Sequence, residues 1–290
     1  MSLIKSTHSA ILLMHCPDQK GLVFAVTDFI ARNGGNILSL EQFVDPLAGE
    51  FFMRVEWSLE GFTIPDAKIG EFYDVLIAQR SNMVWKLYFS GERQRMALFT
   101  SKTSHCLYDI LARVQSGEWN VEVPLIVSNH QDHEKVAREF GIPFHYFPIN
   151  NENRQAQEQA QIALCQQHNI DVVVLARYMI IVGSAFTQAF PMCMINIHHA
   201  FLPAFIGAKP YHRAYERGVK LIGATAHYVT TDLDEGPIIE QDVIRVTHLD
   251  SINELTRKGF DVEKIVLARA IRRHLERKTL VYQNRVIVFA

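Results

Sequence analysis

The chain has 290 residues, 48% of them hydrophobic and 21% charged, the balance of an ordinary globular protein. At roughly 100–200 residues per domain, that length allows about two domains with real cores. Lys and Arg total 29 against 31 Asp and Glu, a net charge of −2, which excludes broad electrostatic attraction to nucleic acid or anionic membrane.

The opening stretch MSLIKSTHSAILLM has one Lys, a broken apolar run and no small-residue cleavage site, so it suits a first strand better than a signal peptide. Ser9 to His15 reads as that strand. Leu22 to Arg32 has helical spacing, with Leu22, Ala25, Val26, Phe29 and Ile30 on one face, and Asn33-Gly34-Gly35-Asn36 stops it. Ile37 to Val44 and Phe51 to Trp57 follow as strands, Ile64 to Arg80 as a helix and Met83 to Phe89 as a strand. This order is a ferredoxin-like βαββαβ unit, expected over residues 1–88. Ser90 to Gln94 is a polar linker.

From residue 95 to 290 strands and helices alternate, which predicts a Rossmann-like α/β domain with a mostly parallel sheet. Strands are expected at Met96–Ser101, Glu122–Ser128, Phe144–Pro148, Asp171–Arg177 and Cys193–His198. Helices are expected at Thr103–Val114, Asp132–Phe140 and Asn153–His168. Gly223–Thr230 and Ile238–Val246 read as further strands, Ser251–Arg277 as a long helix, and Leu280–Tyr282 with Arg285–Phe289 as a closing hairpin. Ile170 to Phe186 is the most apolar long stretch, but Asp171 and Arg177 mark it as a buried strand and turn rather than a membrane span. Cys16, Cys106, Cys165 and Cys193 form no CxxC pair, so buried free thiols in a reducing cytoplasm are expected, with no metal site.

Chemistry concentrates in two places. In a strand, residues two apart share a face, so Asn196 and His198 project together where Ile195–His198 runs out into a Pro-containing loop. Ligands of open α/β sheets bind at such strand ends. An Asn amide and a His there can stabilise an oxyanion and move a proton, or simply cap a strand. Leu233-Asp234-Glu235-Gly236-Pro237 is a tight turn between two strands that can bring the Asp234 carboxylate beside the His, or leave it solvated. His227 lies on the preceding strand, open to either a site role or a packing role.

The stretches NIHHAFLPAF, GATAHYV and LDEGPI together resemble the folate-dependent formyltransferase family over about Arg95 to Ala290. The resemblance implies catalytic roles for Asn196, His198 and Asp234 and helper roles for His227, Thr225 and His199. It further implies folate binding by Arg177, Tyr178, Met179, Ile180, Ile181 and Val182, where the family uses backbone groups. Here Ile180 replaces a residue that is commonly polar or basic, Val182 a usual Leu, and Phe260 a usual polar or basic residue. CPDQKGL (16–22) and the Asn33–Asn36 turn resemble the ACT regulatory domain. That likeness implies a small amino-acid effector, glycine or methionine, held by Asp18, Gly21, Leu22, Asn36 and Ile37, and a homo-oligomer joined through these domains.

The order of the two domains resembles the hydrolytic branch of the family. That branch implies 10-formyltetrahydrofolate as substrate, formate and tetrahydrofolate as products, no metal or covalent cofactor, and formate supply to purine synthesis. The alternative is formyl transfer to an amine such as glycinamide ribonucleotide. Transferring members have a glycine-rich first βα turn whose N–H groups cradle a phosphate. This chain has Thr100-Ser101-Lys102-Thr103-Ser104-His105-Cys106, without glycine, and His199 where the transferring members usually carry Pro. A third reading makes the fold an amino-acid-sensing scaffold, against which the intact Asn196, His198 and Asp234 argue.

Overall fold

A computed structural model describes residues 8–204 and 210–290. Residues 1–7 of the opening stretch and Phe205, the last residue of the NIHHAFLPAF motif, lie outside the described residues. The chain divides into two units: residues 1–93 with Arg277–Leu280 and Ile287–Ala290, and Gln94–Glu276 with Val281–Val286.

In the first unit β1 (Ser9–Pro17), α1 (Leu22–Arg32), β2 (Asn36–Asp45), β3 (Glu50–Ser58), α2 (Asp66–Tyr73) and β4 (Val84–Phe89) follow in order. The four strands form an antiparallel sheet in the order β2-β3-β1-β4. α1 buries Leu22, Val26, Phe29 and Ile30, the stripe its periodicity predicts, against Leu12, Met14, Val55 and Trp57 of the sheet. The second helix is shorter than the expected Ile64–Arg80. Pro65 disfavours helical backbone at the residue before it, and the chain after Tyr73 widens into a π-helical turn (Asp74–Ala78) and a 3₁₀ turn (Gln79–Ser81).

The second unit begins with β5 (Gln94–Thr100), α3 (His105–Gln115), β6 (Val121–Ser128), α4 (Glu134–Glu139), β7 (Phe144–Tyr146), α5 (Arg154–Gln167) and β8 (Val172–Leu175). It continues with α6 (Ser184–Ala189), β9 (Met194–His198), α7 (Pro210–Arg217), β10 (Leu221–Tyr228), β11 (Ile238–Arg245) and α8 (Ile252–Leu275). β12 (Thr279–Tyr282) and β13 (Arg285–Val288) pair as the expected hairpin. Gln94 is not linker: it opens β5, is 5% exposed, and its amide donates to Leu275 C=O at 2.9 Å. The helices α6 and α7 were not expected. α6 is a six-residue turn too short for a periodic signal, and α7 is a polar helix that buries only Pro210, Tyr211 and Ala214.

The seven strands run in the order β11-β10-β9-β8-β5-β6-β7. From β9 to β7 they are parallel, and β10 and β11 are antiparallel additions. Alternation along β5 puts Met96 and Leu98 into one core with α3 and α8, and Ala97 and Phe99 into another with α5 and α6. Chain order reverses beside β5, where the path turns from β6 and β7 back to β8. A cleft at the C-terminal strand ends is expected at such a switch point. No helix among the described residues is long and apolar enough to cross a membrane.

Candidate active site

A cavity of about 300 Å³ opens there, walled by residues 177–182 after β8, 196–199 at the end of β9, and 229–234 after β10. β10 pairs antiparallel with β9, Thr225 opposite His198 and His227 opposite Asn196. The turn after β10 then folds Asp234 back over them. Asp234 takes a left-handed φ of 58°. Gly236 is needed beside it, because a Cβ at that position would lie 1.7 Å from the Tyr228 carbonyl oxygen.

Asp234 Oδ2 is 3.2 Å from His198 Nδ1, and its Oδ1 is 3.7 Å from His227 Nε2. The hydrogen bond from His198, with the His227 ring facing the carboxylate at longer range, holds the Asp234 carboxyl well below the usual carboxylate range, outweighing the upward push of burial. His227 donates from Nδ1 to its neighbour's carbonyl, Tyr228 O, at 2.9 Å. The lone pair of Nε2 is then free to accept from Asn196 Nδ2, 3.2 Å away. That contact fixes the Asn196 amide and leaves its second N–H for a ligand. His198 is 6% exposed, and its Nε2 is buried without a hydrogen-bond partner among the described residues.

The sequence-predicted residues separate into those that wall the cavity and those that hold it. Asn196, His198, Asp234, His227, His199 and the stretch Arg177–Val182 all line it. Thr225 does not: it is fully buried, donates to Ala200 C=O at 2.9 Å and accepts from Leu202 N–H at 3.0 Å. Gln241, unmarked by any motif, joins it by donating to Thr225 Oγ1 at 2.9 Å and Leu202 C=O at 3.0 Å. The two fasten the loop that carries His199. Within 177–182, the Met179 N–H is already taken by Ser101 Oγ at 2.9 Å, and Ile181 C=O accepts from Arg154. Tyr178 is buried and accepts from Gln161, whereas Met179 and Ile181 are exposed to a ligand.

Behind the cavity lies a buried charged cluster that motif reading missed. Glu263 of α8 is 0% exposed and accepts from Tyr211 Oη at 2.6 Å and His105 Nε2 at 2.7 Å. Arg177 Nε stands 3.5 Å from it, an ion pair rather than a well-formed hydrogen bond. Burial pushes the Glu263 carboxyl up, but His105 and Arg177 together overcome it and keep the group ionised, below its ordinary value. The Arg177 guanidinium also donates to His199 Nδ1. Burial, and after it the Arg177 charge, pushes His199 down to about 4. Phe260 stacks on His105 at 3.9 Å, which gives this departure from the family pattern a packing role. His105, Cys106 and Glu263 have donor atoms within 4.8 Å of one another, near enough for a cation. Burial pushes the Cys106 thiol well up, so it stays protonated, and the carboxylate already answers Arg177; the set fits an internal ion pair better.

Three residues of the first βα turn are held by contacts of their own. Thr100 Oγ1 meets His133 Nδ1 at 3.2 Å, Ser101 donates to Asn129 Oδ1 at 2.6 Å, and His105 serves Glu263. In the first unit, Gly21 caps α1 with φ 93°, Leu22 is buried, and the Asp18 N–H donates to Gly49 C=O. Asn36 and Ile37 pair with Ser58 and Trp57, whereas Pro17 beside Asp18 pairs with Glu50. The two groups therefore stand at opposite ends of β3, about 25 Å apart at ~3.3 Å per residue, and one chain does not bring them together.

An amide donor, a His–carboxylate pair and a cleft at a parallel sheet's rim are together able to act on a carbonyl group. Residues 94–271 match the formyl transferase family and residues 10–63 the ACT domain, and the chain belongs to the formyl transferase family with an ACT domain at its N-terminal side. It is 52% identical over 282 residues to a formyltetrahydrofolate deformylase of Synechocystis sp., covering 97% of this chain and 99% of that protein. The crystal structure of a formyltetrahydrofolate deformylase from Pseudomonas syringae pv. tomato superposes with a TM-score of 0.96 at 42% identity, covering 99% of this chain and 96% of the other. Glycinamide ribonucleotide transformylase 1 from Symbiobacterium toebii aligns at 31% identity with a TM-score of 0.65, over 71% of this chain and 98% of its own. Family membership thus spans proteins named for hydrolysis and for transfer.

Proposed function

We propose that the protein hydrolyses 10-formyltetrahydrofolate to formate and tetrahydrofolate at the cleft of the second unit. The observation that carries this reading is the convergence of Asn196, His198, His227 and Asp234 on one cavity, with Asp234 3.2 Å from His198. The folate ring packs along residues 177–182, held by the backbone groups that Ser101 and Arg154 leave free. The formyl oxygen sits against the free N–H of Asn196 and Nε2–H of His198. Water attacks the formyl carbon, and each of these two donors to the tetrahedral oxyanion is worth ~2.7–4 kcal/mol.

Asp234 takes the proton of the water, directly or through a second water, while keeping His198 charged. Held low by His198 it is a weak base, but a bound folate covers it and strengthens burial, the one influence that raises it. His198 then protonates the folate nitrogen as the C–N bond breaks. Formic acid returns a proton to His198 and leaves as formate, and Asp234 gives the proton it took to solvent, which restores both groups and accounts for the one proton that hydrolysis releases. Residues 95–290 form the catalytic region and residues 1–88 the regulatory one.

Two observations favour water over an amine as acceptor. Thr100, Ser101 and His105 of the first βα turn are engaged with His133, Asn129 and Glu263, and the turn has no glycine to let a phosphate approach its backbone closely. The relatives with matching full-length coverage are named deformylases. A glycine or methionine effector completes its site when a second copy brings Asn36 and Ile37 to Asp18, Gly21 and Leu22 of the first. The formate would supply purine synthesis. The test is formate release from 10-formyltetrahydrofolate with no amine added: steady turnover is expected, and release only when an amine is supplied would replace hydrolysis by transfer.

A further inference from the structure

Two imidazoles stand side by side at the cavity, His198 and His199, their rings 5.2 Å apart and within 10° of parallel. They face opposite charges. His198 Nδ1 looks at the Asp234 carboxylate at 3.2 Å, whereas His199 Nδ1 receives a hydrogen bond from the Arg177 guanidinium. A guanidinium has donors only, so His199 Nδ1 must be an acceptor, and the proton of the neutral ring must sit on Nε2. A doubly protonated His199 would set N–H against N–H beside a fixed cation. Among the described residues the charged and polar groups around His199 are Arg177, Glu263, His198, Asp234 and Tyr211, and of these Arg177 acts on it most strongly.

Arg177 is itself held in place. Its backbone has a left-handed φ of 61°, a conformation that disfavours a side-chain-bearing residue and needs outside support. The support is Glu263, buried completely and fixed by Tyr211 and His105. Gly259, one turn earlier on α8, leaves room for this: a Cβ there would lie 2.1 Å from the Tyr211 hydroxyl. Buried ion pairs rarely repay their desolvation, so one kept beside a cavity is better explained by what it orients than by stability.

We infer that Glu263 and Arg177 are positioning residues that lock His199 as a neutral Nε2–H tautomer, and that this N–H donates to the water attacking the formyl carbon. The inference rests on the hydrolytic reading for the identity of that acceptor. One imidazole then carries charge for the oxyanion while its neighbour stays neutral and orients the nucleophile, so the two do not compete for one proton.

The direct test is ¹⁵N NMR of the imidazoles of the full chain, with His199 assigned by its loss in His199→Gln. The expected result is an unprotonated Nδ1 and a protonated Nε2 from pH 5.5 to 8; a Nδ1–H tautomer, or double protonation near pH 6, would overturn the lock. In Glu263→Gln the His199 signals should become a tautomer mixture and kcat should fall with little change in KM. Unchanged signals in that variant would remove Glu263 from the arrangement. Should Glu263→Gln not fold, the wild-type spectrum and two further variants still decide. His199→Gln places an amide N–H near the Nε2 position and His199→Asn near the Nδ1 position, so the first should release formate about tenfold faster. Equal losses would overturn the donor role. If no formate forms at all while the tautomer is as expected, the hydrolytic reading fails and the Arg177–Glu263 lock stands.

Discussion

In the unit that carries the cleft, Thr225, His198, His227 and Glu263 are buried and each meets a named partner. In the unit that begins the chain, the residues expected to hold an effector stand mostly exposed, at two ends of one sheet. The difference is physical. Buried polar and charged groups are costly unless every partner is in place, so the cleft is organised before substrate arrives. The residues proposed to hold an effector carry no such obligation, and under that proposal a second copy supplies the other half of their site. Mutations in the cleft should therefore act on the reaction itself, and those around Gly21 on its regulation.

The largest expected effect is from Asp234→Asn. Formate release should fall about 10²–10⁴-fold with the fold retained, because the variant can neither take a proton nor hold His198 charged. Near-normal turnover would contradict the assignment. The same variant has a stability signature. The folded-state pKa of Asp234 lies below the ordinary 3.8, so the ionised group stabilises the fold above that pH, and the contribution is lost as pH falls from there toward the folded value. The Tm gap between wild type and variant should be widest near pH 7 and close below about pH 4; a gap that grows in acid would reverse the sign.

Gly236→Ala comes next. Its Cβ would meet the Tyr228 carbonyl at 1.7 Å, so the turn must shift and carry Asp234 with it. A loss of about 1–3 kcal/mol in denaturant unfolding is expected, with most of the turnover. Thr225→Val should cost roughly 1–3 kcal/mol, since Ala200 C=O and Leu202 N–H lose a buried partner, and should lower turnover less than Asp234→Asn. Gly21→Ala is the smallest: φ 93° disfavours any side chain, so about 1 kcal/mol of stability goes. The response to glycine or methionine should go with it while the unregulated rate stays, as formate assays with and without each amino acid would record. A lost basal rate would break the division between the units.

Much of this was legible because it is local. Period-2 strands and the Asn33–Asn36 stop give the first sheet. Asn196 and His198 stand two apart at a strand end, and Gly236-Pro237 marks the turn that presents Asp234. What stayed hidden is long-range. Nothing near Glu263 in a helix rich in Glu, Lys and Arg signals that it reaches Tyr211, His105 and Arg177, although Gly259 and Phe260 break the pattern one turn away. Gln241 alternates on β11 like any edge residue, and only the fold reveals its hold on Thr225. α6 and α7 rest on too few buried side chains to print a period, and the loss of the Met179 N–H to Ser101 joins residues distant in sequence.

The most direct test of the central claim follows the oxygen of the attacking water. In H₂¹⁸O, with 10-formyltetrahydrofolate and no amine, the formate released should carry one ¹⁸O atom per molecule, matched by an equal yield of tetrahydrofolate. Unlabelled formate, or a formyl group recovered on an added amine with no formate at all, would contradict water as the acceptor.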